Sequence, residues 1–297
     1  MKILVSGRSG QLARCLMEKA ALRGDVELIA MGRPELDLLR PETLSAVLEQ
    51  LRPEIVVSAA AYTGVDKAES EPDLAFAINC DGAGALAAAA ERVGASVVHI
   101  SSDYVFAGDK GKTYDETDPA SPLGAYGLSK YAGELAVAAA NPRNVILRTA
   151  WAHSPYGSNF IRTMLNLATT KKTVNVVGDR YGSPTSMLDV ADAILHLVDR
   201  LDEHHYGLYH LTCRGSTSWA GLARHVYAAS RAIGGPWADV VDISGDDYKA
   251  AAQRPIASPL NSSLFERRFS WAMPSWQQSA TEVTQRIAGE MASLPAH

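Results

Sequence analysis

Five short apolar runs, rich in β-branched residues, punctuate the first half of the chain: KILVSG (2–7), VELIAM (26–31), EIVVSAA (54–60), SVVHISS (96–102) and NVILRTA (144–150). These near-continuous runs predict strands covered on both faces, the mark of a parallel sheet. Between them lie helix-like stretches at 11–23, 41–51, 72–94 and 126–140. ALAAAAERVGA within the third is a strong helix former and not a low-complexity segment. Strand and helix in strict alternation predict an α/β fold of Rossmann type, a doubly wound parallel sheet.

After about residue 152 the texture changes. YGSNFIRTMLNLATT predicts a turn and a helix, TVNVVGDRYGSPT a short strand and an ordered loop, and SMLDVADAILHLVDRL an amphipathic helix. YGLYHLT predicts another strand, WAGLARHVYAAS a helix, and the Pro-, Trp- and Ser-containing tail closes on one more helix. The expected division is 1–152 for dinucleotide binding and 153–297 mainly for substrate. This second, smaller α/β unit would sit over the carboxyl edge of the sheet, with about 186–205 packing back on the first.

Composition narrows the partners. A net charge of −5 over 297 residues leaves no basic footprint for nucleic acid. No window approaches the ~18–20 apolar residues of a membrane span. MKILVSGRSG enters the first strand directly, without a signal-peptide pattern. Cys15, Cys80 and Cys213 have no zinc spacing, and their odd number suits a reducing compartment. The expected location is the cytoplasm.

Chemistry begins at VSGRSGQLA. Gly7 and Gly10 end the first strand and Ala13 follows one helical turn on, a spacing that lets backbone N–H groups approach a pyrophosphate at a helix N-terminus. An acidic group at the end of the second strand would hold a ribose 2′-hydroxyl and a basic one a 2′-phosphate. MGRPELDLL offers Arg33 there and Asp37 slightly later, which favours NADPH over NADH.

The fourth strand ends HISSDYVF, placing Ser101, Ser102 and Asp103 at the sheet's carboxyl edge. AYGLSKYAGE then sets Tyr126 four residues before Lys130, on one helix face. A phenol with pKa near ~10 needs tuning to exchange protons at neutral pH, and a nearby ammonium is expected to lower it. With a serine hydroxyl to align a carbonyl, the set is equipped to move a hydride and a proton across a C=O/CH–OH pair.

The ordered set GRSGQLA, AAAYTGVDKAES, HISSDYVFAG, YDETDPASPL, YGLSK, RTAW and RPIASPLN resembles the dTDP-4-dehydrorhamnose reductase family of the extended short-chain dehydrogenases/reductases, over nearly the whole chain. The resemblance implies that Gly7, Gly10, Gln11 and Leu12 lie against the cofactor phosphates, Asp37 and Leu38 near the adenine, and Ala61, Tyr62 and Thr63 along the middle of the dinucleotide. It implies Tyr126 as general acid, Lys130 on the nicotinamide ribose, and Ser102 on the substrate carbonyl with Asp103 beside it on the sugar. Trp151 would pack on the nucleotide-sugar, and Arg254 would lie in the substrate domain. The implied activity is reduction of the C4 ketone of dTDP-4-dehydro-6-deoxy-L-mannose to dTDP-L-rhamnose. The alternatives are a reductase of another nucleotide-linked 4-ketosugar and a non-catalytic regulatory subunit of the same fold, the latter disfavoured by the intact Ser102, Tyr126 and Lys130.

Some members of the family carry magnesium-binding glutamates at a dimer interface, where this chain has Cys15 and about Leu188, neither a hard-cation ligand. No metal is therefore expected, and homodimer formation stays open. His153, where a tyrosine is frequent, is expected to line the site without a catalytic part. His204 and His205 are expected to be solvated, Asp66 and Glu69 to order their loop or sit at a helix start, and Trp219, Trp237, Trp271 and Trp276 to pack. Cys80 and Cys213 are expected to be structural thiols.

Overall fold

The computed structural model describes residues 1–293. Its strands are β1 (Lys2–Ser6), β2 (Glu27–Met31), β3 (Ile55–Ser58), β4 (Ser96–Ser102), β5 (Asn144–Thr149), β6 (Ala152–His153), β7 (Thr173–Val177), β8 (Tyr181–Gly182), β9 (Thr185–Ser186), β10 (Gly207–His210), β11 (Thr217–Ser218) and β12 (Asp239–Ile243). The α-helices are α1 (Gln11–Ala20), α2 (Pro41–Leu51), α3 (Val65–Ala68), α4 (Pro72–Phe76), α5 (Ala83–Arg92), α6 (Ala125–Ala140), α7 (Phe160–Ala168), α8 (Met187–Val198), α9 (Trp219–Arg231), α10 (Ser263–Phe269) and α11 (Trp276–Ser293).

The principal sheet runs β10-β5-β4-β3-β1-β2, with every pairing parallel. Alternate side chains leave opposite faces. Ile3, Val5, Ile55, Val57 and Val98 enter a core with α1 and α8, whereas Leu4, Val56 and Val97 enter a second core with α2 and α5. The two buried faces account for the continuous apolar runs, since no position of these strands can be left polar at low cost.

The sequence expectation is exceeded at one edge. The strand within YGLYHLT is β10, which pairs with β5 in register Leu208↔Ile146 and so extends the principal sheet. The helix before it, α8, lies on α1, where Lys19 and Asp192 pair at 2.7 Å. Three two-stranded ladders complete the second half: β7 with β12 and β6 with β9 in parallel, and β8 with β11 antiparallel.

The stretch 72–94 is not one uniform helix. A π-helical turn, Ala77–Gly82, separates α4 from α5. It brings the Asn79 carbonyl so close to Gly133 that a Cβ there would lie 2.0 Å from the oxygen. The Asn79 side chain accepts from Tyr62 N at 2.8 Å and donates to Ser129 Oγ at 3.0 Å. Asn79 thereby seats α6 against the loop after β3. Among the described residues, no helix is long and apolar enough to cross a membrane.

Candidate active site

The chain turns sharply after β1. Gly7 has φ +99°, a left-handed value that suits glycine, and its N–H donates to the Met31 carbonyl. Gly10 caps α1 without a side-chain hydrogen bond, and nothing lies within 4 Å of where its Cβ would stand. Open space therefore faces the free N–H groups of the first turn, the arrangement that accepts phosphate. Ser6 Oγ accepts from Ala59 N and Ala60 N at 3.0 and 3.1 Å, holding the end of β3 beside this turn. Gln11 is oriented from the second half of the chain, its Oε1 accepting from Ser154 Oγ at 2.9 Å.

A cleft of about 1390 Å³ opens over the carboxyl edge of the sheet. Every residue singled out from the sequence as a cofactor, substrate or catalytic group lines it, except Tyr62. Tyr62 instead donates its hydroxyl to Glu71 Oε2 at 2.6 Å, and its backbone is held by Asn79. Arg33 and Asp37 both line the cleft beyond β2, and the Asp37 carboxylate accepts from Leu39 N at 3.1 Å. Arg8 stands against Gly32 and pairs with Glu35 at 3.1 Å, adding a second cation to that corner.

At the other end of the cleft, Ser102 ends β4 and Tyr126 opens α6. The Tyr126 ring meets Tyr104 edge to face, with centroids 5.5 Å apart. Burial pushes the Tyr126 phenol up to about 12, with Asp103 adding to the rise and a hydrogen bond with Ser102 opposing it. The expected lowering by Lys130 is thus corrected: desolvation dominates, and no charge on Lys130 offsets it. Lys130 donates to the Ile100 carbonyl at 2.7 Å, and burial brings its ammonium down to about 8 while Glu134 pulls it up. Asp103 is buried, accepts from Ser258 Oγ at 2.6 Å, and is raised by desolvation to about 6.

The far wall comes from the second half. Arg254 is clamped by Asp66, with its charge near the Trp219 and Tyr248 rings at 5.9 and 5.6 Å. Trp151, at φ +45°, meets Trp219 edge to face at 6.1 Å. Trp219, expected only to pack, and Tyr248, not anticipated, both line the cleft. Neither could be placed from sequence, because each reaches the cleft from an element with no motif of its own. His153 lines the cleft and is buried; Nδ1 lies 3.2 Å from the Trp151 carbonyl, and desolvation lowers its pKa to about 4, which keeps the ring neutral.

Elsewhere, Cys15 and Leu188 are both buried in the core. The described residues contain no group of three or more His, Cys, Asp or Glu arranged to hold a metal. His204 is exposed, but His205 is largely covered, stacks on Phe269 and pairs with Asp202, so its expected solvation is corrected. Asp66 and Glu69 both order structure, Asp66 through Arg254 and Glu69 by accepting from Ala125 N at 2.8 Å at the start of α6.

A six-stranded parallel sheet, a glycine turn at its first strand and a Ser–Tyr–Lys set in the same cleft define an oxidoreductase of the short-chain dehydrogenase/reductase class. The chain belongs to the family described as RmlD substrate binding domain, whose model matches residues 1–288. The dTDP-4-dehydrorhamnose reductase of Sinorhizobium fredii is 44% identical over 283 residues, 94% of this chain and 95% of its own. The crystal structure of a dTDP-4-dehydrorhamnose reductase from Clostridium acetobutylicum superposes with TM-score 0.90 at 35% identity, covering 96% of this chain and 99% of that one. That from Bacillus anthracis, in complex with NADP, gives TM-score 0.90 at 34% identity over 95% of this chain and 98% of that one. The protein is accordingly a dTDP-4-dehydrorhamnose reductase-like oxidoreductase.

Proposed function

We propose that the protein reduces the C4 ketone of dTDP-4-dehydro-6-deoxy-L-mannose to dTDP-L-rhamnose with NADPH, in the cytoplasm, as a step of nucleotide-sugar and polysaccharide synthesis. The observation that carries this reading is the opening of the glycine turn, Ser102, Tyr126 and Lys130 into one cleft. The free thiols of all three cysteines support a reducing compartment.

The residues at the glycine turn fit a dinucleotide. Gly7, Gly10, Gln11 and Leu12 would hold its pyrophosphate, Arg33 the 2′-phosphate, Asp37 and Leu38 the adenine side, and Ala61 and Thr63 its middle, with Tyr62 contributing backbone only. Bound NADPH supplies the hydride. Tyr126, kept protonated by burial at neutral pH, gives its proton to the C4 oxygen as negative charge develops there. Ser102 donates a second hydrogen bond to that oxygen, and Lys130, while bonded to the Ile100 carbonyl, donates another N–H to the ribose hydroxyls. Asp103, Trp151 and Arg254 would hold the sugar and its nucleotide. In this reading 1–152 serves mainly the cofactor and 153–297 mainly the nucleotide-sugar.

The test is absorbance at the reduced-nicotinamide band, with purified protein, dTDP-4-dehydrorhamnose, and NADPH or NADH supplied separately. Oxidation dependent on protein and sugar, faster with NADPH, is the expected result. Cofactor binding without oxidation would overturn the substrate assignment and favour another 4-ketosugar or a binding-only role.

A further inference from the structure

We propose that Glu134 is a positioning residue for this reaction: its buried carboxylate locks the helix carrying Tyr126 and Lys130 to the strand ends that carry Ser102. The proposal rests on the reductase reading above and extends it to a residue outside the cleft lining.

Tyr126, Lys130 and Glu134 follow one another at four-residue steps, so they lie along one face of α6. The first two reach the cleft, while the third is directed into the sheet beneath it. Glu134 Oε1 accepts from Ser101 Oγ at 2.5 Å and from Arg148 Nε at 2.8 Å, and Oε2 accepts from Arg148 Nη2 at 2.6 Å. Ser101 belongs to β4 and Arg148 to β5, and the two face each other in the ladder. One carboxylate therefore joins three elements. A second bond runs parallel to it, from Lys130 Nζ to the Ile100 carbonyl. Together they hold residues 100 and 101 of β4 to two successive turns of α6, and the next residue is Ser102.

Stability alone is a poor reason for this arrangement. Both side chains of the Glu134–Arg148 pair are only 4% exposed. Taking two charges out of water this completely is costly, and an apolar pair often serves as well or better. The pair is also incompletely satisfied, since Arg148 Nη1 has no hydrogen-bond partner. What an apolar pair could not supply is direction, because two-point guanidinium bonding fixes the carboxylate plane and so the Ser101 hydroxyl.

Charge gives Glu134 a second effect. It raises the proton affinity of Lys130 against the burial that lowers it. Besides Glu134, the ionisable groups near this point are His99 on β4, whose pKa burial and the lysine charge hold well below its usual value, Tyr126 one turn away on α6, Asp103 in the same cleft lining, and Arg148 on β5, bonded to Glu134. Removing the carboxylate should leave Lys130 deprotonating at lower pH.

Glu134→Gln removes the charge, and Glu134→Gln/Arg148→Met removes both charges, so that no lone guanidinium is left to unfold the chain. Each is compared with the parent by far-UV circular dichroism, melting, steady-state kinetics across pH, and NADPH fluorescence titration. For the folded double variant, kcat should fall about tenfold or more while the KM for sugar changes by no more than about threefold. The alkaline limb of kcat/KM should move down by about one pH unit. A folded double variant with parental kcat and an unmoved alkaline limb would overturn the proposal. So would an activity loss that simply tracks the folded fraction at a parental pH profile. If the parent does not turn over this sugar, the substrate reading fails by itself. NADPH binding titrated from roughly pH 6 to 10 then decides the role of Glu134. A lower midpoint in the variant supports it, and superimposable curves exclude it.

Discussion

Asp66 and Arg254, 188 residues apart in sequence, meet in a two-point ion pair with contacts of 3.1 and 2.7 Å. The pair joins α3 to the segment before α10, and Arg254 lines one side of the cleft. Hydrogen bonding to the guanidinium holds the Asp66 carboxyl below its ordinary range. With Asp66→Asn, Arg254 keeps its place near the rings but loses the fork that orients it. The KM for the nucleotide-sugar should rise about tenfold, with kcat and the KM for NADPH within about threefold of the parent. Initial-rate kinetics with each substrate varied in turn would measure this, and an unchanged sugar KM would remove Arg254 from the substrate site.

Tyr126→Phe removes the proposed proton donor while leaving the ring that meets Tyr104. Turnover should fall by a factor of about 10² to 10⁴, with NADPH affinity nearly unchanged. Lys130→Met should reduce both, because the ammonium is assigned to the cofactor ribose. Fluorescence titration with NADPH, run beside the kinetics, separates the two variants.

Arg33 lines the cleft beyond β2, the position proposed above for the 2′-phosphate contact. Arg33→Ser should raise the KM for NADPH by about tenfold and leave that for NADH within about twofold. Equal losses with the two cofactors would shift the 2′-phosphate contact to Arg8, the other cation at that corner.

Asp103 sets a pH dependence of stability. Its folded-state pKa is raised by desolvation from 3.8 to about 6, so the unfolded chain loses this proton first as pH rises. Between those values the folded state binds more protons, and stability must fall with rising pH, by up to about 3 kcal/mol for this group, before levelling off above 6. Asp103→Asn should abolish that descending limb. Melting temperatures of parent and variant from pH 4 to 7 give the comparison, and parallel curves would show that Asp103 does not titrate there.

Much of the cleft was legible in the chain because its motifs are local. Gly7 takes the left-handed backbone that turns a strand straight into a helix, Gly10 leaves the start of that helix open, and Tyr126 and Lys130 share a face through helical spacing alone. The Tyr62 side chain stays out of the cleft lining, and nothing near it in sequence reveals that Asn79, seventeen residues on, fastens its backbone while Glu71 accepts from its hydroxyl. Trp219 and Tyr248 were missed as cleft residues for a similar reason: an aromatic side chain carries no sequence mark that distinguishes packing from lining.

The sequence by itself determined the alternation of strands and helices, the covering of both sheet faces, and the spacing of Tyr126 and Lys130, because periodicity and backbone preference act over a few residues. Only the tertiary structure decided that β10 joins the principal sheet, that Arg254 finds Asp66, and that Glu134 meets Arg148 and Ser101. It also decided the direction of the Tyr126 shift. Burial is a property of the whole packed chain, and at this phenol its effect is larger than that of any charge the helix spacing could have placed beside it.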